Sequence, residues 1–352
     1  MNHFDFEEEF HSRDRKQFRK ERKLVQTNSR SKLKKEVESD TDLHRGRVTS
    51  ISGEGSWVDF EGKLYLCSLK GFLKKEKTHA KNLIAVGDWV GFSLTSEKEG
   101  AIAQVEERTS FLARTDITGK KEQLIAVNVD QVVITASVVE PPLKPALIDR
   151  YLIAAEKGNI RPIILLNKID LLESDSEEEI QLYRDFLAAY EPLGIPILSI
   201  SIKTGIGIEA CKALLQNKTT VFSGQSGVGK SSLLNKCFGL TLRVGELTQK
   251  TYKGAHTTST AELIPLVGGG YCVDTPGIRS FGLWNLKKEE VFNHFREFHA
   301  FSCRFPDCTH TTEPACGVIE AHAQGKIPSL RYESYKILLG EALIGPDKTT
   351  WS

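Results

Sequence analysis

The sequence predicts a multidomain α/β chain in three folded parts, and three observations predict it. Five short alternating runs between Arg47 and Val105 read as a small β-barrel. From about residue 111, apolar strands alternate with helical stretches, the pattern of a mainly parallel sheet covered on both faces. Near the end, Cys303, Cys308, His310 and Cys316 gather four metal-ligand side chains in one short segment. The expected boundaries are a basic arm over 1–44, the barrel over 45–110, the α/β domain over 111–285 and an α-helical metal module over 286–352.

Residues 13–35 of the arm carry eleven Lys or Arg against Asp14 and Glu21, a local balance of +9 within a chain of net charge +1. Such a run reads either as a solvated, unstructured tail or as an arm that neutralises nucleic-acid phosphates. The two are compatible, because basic arms often order only on binding. Asp5, Glu7, Glu8 and Glu9 do not suit a transit peptide, and no apolar stretch at the N-terminus suits a signal peptide. No apolar run is long enough to span a bilayer, and seven cysteines, an odd number, do not suggest a disulfide framework. The chain is therefore expected to be cytoplasmic, away from membranes and monomeric.

The barrel runs are Arg47–Ile51, Ser56–Phe60, Lys63–Cys67, Asp88–Phe92 and Gly100–Val105. Five strands suit an OB-fold, which binds oligonucleotides; an SH3-like barrel or a purely structural module is the alternative. Lys70, Lys74, Lys75, Lys77 and Lys81 add a basic loop that favours RNA.

In the α/β part, strands are expected at Gln131–Ala136, Ile160–Leu166, Pro196–Ile200, Thr219–Phe222 and Tyr271–Val273, with helices near 145–157, 177–190 and 207–216. The first helix should bury one face through Leu147, Tyr151, Leu152 and Ala155. Ligand loops gather at the carboxyl ends of such strands, and the motifs fall there. Gly224, Gln225, Ser226, Gly227, Val228, Gly229, Lys230 and Ser231, followed by Ser232, form a phosphate loop. Its glycines let backbone amides approach phosphate oxygens, Lys230 reaches the β- and γ-phosphates, and Ser231 ligates Mg²⁺. Asp274 ends the Tyr271–Val273 strand, where it would hold Mg²⁺ through water, and the Gly277 amide would sense the γ-phosphate.

Asn167, Lys168, Ile169 and Asp170 have the form of a guanine reader. The Asp170 carboxylate can accept from guanine N1–H and the exocyclic amine, donors that adenine does not offer in that arrangement. Lys168 would cover the base plane, and Asn167 would tie this loop to the phosphate loop. Ser201 and Ile202 stand one strand later, where a second base-contacting loop belongs. Here the reader precedes the phosphate loop, the reverse of an ordinary small GTPase. The domain is thus expected to be a circularly permuted P-loop GTPase. Thr257 and Thr258 are both switch candidates for the Mg²⁺ shell, Thr258 the preferred one. Ile278 stands where many GTPases carry a water-orienting glutamine, so unaided hydrolysis should be slow. His256 is a candidate replacement, its alternative being a plain switch-loop histidine.

Three thiolates and an imidazole make a closed tetrahedral set for one structural Zn²⁺. Cys67, Cys211, Cys237 and Cys272 lie in expected strands and helices, where buried thiols are ordinary.

Together, the barrel, the permuted order and the Cys-x4-Cys-x-His-x5-Cys site resemble the small-ribosomal-subunit-dependent GTPase A family of bacteria, over about residues 45–340. Gly87-Asp88-Trp89-Val90, Gly224–Ser232 and His256-Thr257-Thr258 match its typical segments. The resemblance implies late maturation of the small ribosomal subunit, rRNA contact, GTP/GDP binding and subunit-stimulated hydrolysis. The alternative is a nucleotide-gated RNA-binding scaffold whose turnover is incidental. A kinase or ATPase using the same phosphate loop is disfavoured by Asn167-Lys168-Ile169-Asp170.

Overall fold

The computed structural model describes residues 43–70, 83–115, 122–173, 177–239, 261–274 and 286–344. Its N-terminal part is a closed barrel of β1 (His44–Ile51), β2 (Ser56–Phe60), β3 (Lys63–Leu69), β4 (Trp89–Leu94) and β5 (Glu99–Val105). The strand order is β1-β2-β3-β5-β4, with β4 returning to β1, the arrangement of an OB-fold. Strand alternation sends Val48, Val58, Cys67, Val90, Phe92 and Ile102 inward, all 1% exposed or less. Gly100 is required here: a Cβ would stand 2.8 Å from the Phe92 ring and 2.9 Å from Cys67 Sγ. The basic arm before residue 43 and Lys74, Lys75, Lys77 and Lys81 lie outside the described residues.

Next comes an antiparallel hairpin, β6 (Phe111–Thr115) and β7 (Glu122–Val127), that the sequence reading does not separate from the α/β part. It clarifies the Gly87-Asp88-Trp89-Val90 segment. Asp88 is fully buried and accepts from Arg108 Nε at 2.7 Å, Arg108 Nη2 at 2.8 Å and Ala85 N at 2.8 Å. Gly87, at φ 95°, packs against the Val127 carbonyl, where a Cβ would clash. The segment therefore fastens the barrel to the hairpin.

The α/β part follows as β8 (Gln131–Ser137), α1 (Pro145–Lys157), β9 (Arg161–Asn167), α2 (Glu177–Tyr190), β10 (Ile197–Ser199), α3 (Ile208–Leu215), β11 (Thr219–Ser223), α4 (Lys230–Phe238), β12 (Glu262–Pro265) and β13 (Tyr271–Asp274). The strand order is β10-β9-β8-β11-β13-β12, parallel except for β12. The strands are apolar throughout because both faces are covered. Ile134, Ile164, Leu166 and Val221 pack with Leu152 and Phe186 on the α1–α2 side. Their neighbours Val133, Ile163, Leu165 and Phe222 pack with Leu233 and Leu234 on the α3–α4 side. β12 also pairs with the barrel through Ser50 and Glu262, so barrel and α/β sheet are continuous. Arg47, 7% exposed, reinforces that joint by donating to the Asn128 carbonyl at 3.0 Å, and Tyr271 Oη donates to Asp59 at 3.1 Å.

The C-terminal part contains α5 (Lys288–His294), α6 (Gly317–Ala323) and α7 (Ser329–Ile344). Phe295, Phe298, Val318, Tyr335 and Leu338 form its core, which also takes in Ile153 of α1. Helix α1 is therefore buried on two sides rather than one: besides Tyr151, Leu152 and Ala155 it buries Asp149, Arg150 and Ile153. Two ionisable groups inside the protein need partners. Asp149, fully buried, accepts from Tyr190 Oη at 2.6 Å and from Arg331, which is 1% exposed. Arg331 also donates to Glu297 at 2.7 Å, and Arg150 pairs with Glu341 of α7.

His294 joins this network, with ring nitrogens 3.5 Å from Asp149 and 3.5 Å from Glu156, ionic contacts at the limit of hydrogen bonding. Burial alone would lower its pKa, yet the Asp149 and Glu156 carboxylates more than offset this and raise it, against a smaller opposing effect of Arg331. Glu156 is correspondingly held down to about 2, first by His294 and then, against desolvation, by Arg296. A raised histidine pKa contributes stability that is fully present below about pH 6.5 and is lost as pH rises through the folded value. The depressed acids act oppositely, losing their contribution only as pH falls toward their folded values. The thermal midpoint should therefore fall as pH rises above about 6.5, and a His294→Gln chain should show a flatter profile by circular dichroism.

Candidate functional site

Strand β11 delivers the phosphate loop. Gly224, Gly227 and Gly229 have φ of 130°, 83° and 98°, values that side chains rarely adopt. A Cβ on Gly224 would enter the Thr135 carbonyl, and one on Gly229 would enter the Asn167 amide and approach Ile202 Cδ1 at 3.2 Å. Gln225 is half-buried, Ser226 and Gly227 are exposed, and Val228 is buried as the apolar pin of the loop. Lys230 begins α4 and curls back, donating to the Gly224 carbonyl at 2.8 Å and the Gln225 carbonyl at 2.6 Å. Those bonds hold the ammonium beside the loop's own backbone. Ser231 is 9% exposed and Ser232 half-buried in the same first turn.

Beneath the loop lies Tyr151 of α1, 4% exposed. Burial raises its pKa, opposed by the Ser223 hydroxyl, Arg150 and the Gly224 backbone. Ser223 Oγ, also buried here, has no hydrogen-bond partner. Sequence reading gives Tyr151 only as a core residue, since nothing in its spacing reports what lies above it.

The reader loop follows β9. Asn167, 2% exposed, donates from Nδ2 to the Val228 carbonyl at 2.7 Å, so it bonds directly to the phosphate loop. Lys168, at φ 65°, donates from Nζ to the Glu140 carbonyl. Ile169 opens a 3-10 turn over Ile169–Glu173 that carries Asp170. Ser201 Oγ donates to Asp170 Oδ1 at 2.6 Å and accepts from Thr204 N at 3.1 Å, while Lys203 Nζ stands 4.0 Å from Asp170 Oδ2. Ser201 is thus fully buried behind the carboxylate, and the half-buried Ile202 reaches toward Gly229. The structure brings Asn167, Asp170, Ser201, Ile202 and the phosphate loop together through these contacts.

Asp274 ends β13, two strand positions from β8 across β11, with its backbone registered to Glu262. His256, Thr257, Thr258, Gly277 and Ile278 lie outside the described residues.

On the far side of α1, the donor atoms of Cys303, Cys308, His310 and Cys316 lie within 4.8 Å of one another. Cys303 Sγ is 3.6 Å from Cys316 Sγ and 3.3 Å from His310 Nδ1, which is 3.4 Å from Cys316 Sγ. Tetrahedral zinc distances imply ligand edges of about 3.5–3.8 Å, close to the three separations among Cys303, His310 and Cys316, so the four-residue group could hold a metal ion. Supporting groups hold the ligands: Tyr332 donates to the His310 carbonyl and Tyr335 to the Thr309 carbonyl, each at 2.9 Å, and Phe292 stacks on the imidazole at 4.9 Å. Glu313 accepts from the backbone of Thr309 at 2.6 Å, Thr311 at 3.0 Å and Thr312 at 3.1 Å, which fixes the intervening turn. Among the described residues, no helix is long and apolar enough to cross a membrane.

This architecture is shared with known proteins. The model of the RsgA GTPase family matches residues 105–284. A Chlorobaculum parvum protein named small ribosomal subunit biogenesis GTPase RsgA is 43% identical over 308 residues, 84% of this chain and 96% of its own. A Vibrio vulnificus protein named small ribosomal subunit biogenesis GTPase RsgA 1 is 38% identical over 330 residues, covering 88% of this chain and 89% of its own. Among solved structures, YjeQ from Thermotoga maritima matches with a TM-score of 0.69 and 34% identity, over 86% of this chain and 99% of that one. YloQ, described as a circularly permuted GTPase, matches with a TM-score of 0.65 and 29% identity, over 88% of this chain and 98% of that one.

Proposed function

The chain belongs to the RsgA GTPase family, and from that premise we propose that it hydrolyses GTP to GDP and phosphate as a late assembly checkpoint on the small ribosomal subunit. The observation that carries this reading is the 2.7 Å bond from Asn167 to the Val228 carbonyl, which makes the base reader and the phosphate loop one site. A guanine seated against Asp170 then has its phosphates over Gly224–Ser232. Asp170 reads N1–H and the exocyclic amine, held for that purpose by Ser201. Lys230 exchanges the Gly224 and Gln225 carbonyls for the β- and γ-phosphates. Ser231, Thr258 and, through water, Asp274 are the residues that would hold Mg²⁺, which when bound neutralises charge developing on the β- and γ-oxygens. Hydrolysis forms a bond from water oxygen to the γ-phosphorus and breaks the β–γ bridge, with GDP leaving. His256 is the candidate for orienting that water, and the Gly277 amide for sensing the γ-phosphate.

Cys303, Cys308, His310 and Cys316 hold one Zn²⁺ in this reading, a closed set with a structural role. The barrel and the basic arm contact rRNA, and the protein acts in the cytoplasm as a monomer. Two experiments test the site. GDP should displace a fluorescent guanine nucleotide where ADP does not; equal displacement would refute the base reading. Lys230→Ala and Ser231→Ala should each lower turnover by on the order of 100-fold, by loss of a phosphate contact and of a Mg²⁺ ligand. Wild-type turnover in the Lys230 variant would remove that residue from the mechanism.

A further inference from the structure

Between β8 and α1 lies a short turn over 139–142 that belongs to none of the nucleotide motifs. Both of its ends are pinned. Val138, 1% exposed, and Leu143, 5% exposed, are buried in the same core as Leu152 and Phe186. Val138 N also donates to the Asn167 carbonyl at 3.1 Å, which ties the start of the turn to the reader loop. Anchors packed in a dense core leave the four residues between them little room to drift. The turn meets both nucleotide loops. On the reader side, the Glu140 carbonyl accepts from Lys168 Nζ. On the phosphate side, the Pro141 ring stands beside Gly227, where a Cβ would lie 3.7 Å from Pro141 Cδ. Pro142 shares with Gly224 and Gln225 the walls of a cavity of about 10 Å³, room for no more than one water. Lys168 itself holds φ 65°, a backbone conformation that side chains rarely adopt. With its ammonium on the Glu140 carbonyl, this half-buried side chain is held at both ends.

We propose that the 139–142 turn is a brace of the nucleotide site: its Glu140 carbonyl and Pro141 ring set the separation of Lys168 from the phosphate loop, so that base and phosphates meet groups already in place. This rests on the GTPase reading above. A lysine stem ordered before binding removes part of the ordering cost from the binding step, so the brace acts on affinity and leaves the chemical step alone. Glu140 and Pro141 are therefore positioning residues, and neither supplies a group to the reacting atoms. Turnover by the chain alone is expected to be slow, so KM for GTP follows dissociation and reports the same effect.

The test is a double-mutant cycle in the full chain, with GDP affinity and the kcat and KM for GTP as readouts, and metal content and thermal midpoint as controls. Pro141→Gly removes the ring beside Gly227 and loosens the backbone that carries the Glu140 carbonyl. It should weaken GDP binding and raise KM roughly threefold to tenfold, with kcat within about twofold of wild type and metal content unchanged. Lys168→Met keeps the stem and deletes the ammonium, and should show a loss of the same size. The two changes together should cost little more than either alone. Should the glycine variant fail to fold, Pro141→Ala, which removes the ring and keeps a more restricted backbone, replaces it in the same cycle. Wild-type GDP affinity and KM in the Pro141 variant overturn the proposal, as do losses that multiply independently, or a fall in kcat with KM unchanged. Wild-type protein without guanine-nucleotide binding would instead overturn the GTPase reading, and this proposal with it.

Discussion

Asp170→Asn is expected to lower GTP affinity by on the order of 100-fold, the consequence of about 3 kcal/mol for a buried polar mismatch. The geometry makes this a clean substitution. Ser201 Oγ donates to Asp170 Oδ1 at 2.6 Å, and a side-chain amide oxygen can accept the same bond, so the loop keeps its shape. What changes is the face presented to the base. A carboxylate accepts from the guanine amine, whereas an amide can donate to the 2-keto oxygen of xanthine. Preference should therefore move toward xanthosine triphosphate, measured by direct titration of both nucleotides. Unchanged GTP affinity would remove Asp170 from base recognition.

The second large effect concerns the metal. One Zn²⁺ per chain is expected, and Cys316→Ala or removal of the ion should cost on the order of 10 kcal/mol of site stability. Cys316 is 2% exposed and stands 3.4 Å from His310 Nδ1, so its loss opens the site at its buried side. The core around Phe295, Phe298 and Tyr335 should then loosen, because Tyr332 and Tyr335 are anchored on backbone carbonyls of the ligand loop. Near-ultraviolet circular dichroism and metal analysis check this. Guanine-nucleotide binding should persist, because the Asn167–Val228 bond that joins the two nucleotide loops lies outside the metal-binding part. Protein that is fully stable and free of metal after careful purification would end the zinc assignment.

Much of this was legible because the informative residues are local. The spacing of Gly224, Gly229, Lys230 and Ser231 states a phosphate loop without reference to the rest of the chain, and Cys303–Cys316 states a metal set in the same way. Helices over 145–157 and 177–190 could be read because their apolar periods are long. The short strand β12 and the β6–β7 hairpin escaped notice, since four to six residues carry little period of their own. The joints between parts were not legible at all. Asp149 and Arg331 are 182 positions apart, and each alone looks like an ordinary surface charge. The buried Asp88 sits in a segment whose resemblance to a family is plain, but its job, gripping Arg108, needs a partner twenty residues on. Sequence reading likewise assigned α1 one apolar face, because periodicity finds the sheet side and overlooks a second side covered by a distant helix.

One measurement bears on the central claim more directly than any other: steady-state GTP turnover by the full chain at fixed salt, with and without purified small ribosomal subunits. Turnover should be slow alone, since Ile278 offers no group to orient water, and should rise steeply with added subunits until they saturate. Large subunits should give no such rise. Small subunits that bind the protein and leave its GTP turnover unchanged would contradict the account, and would make the chain a nucleotide-gated scaffold instead.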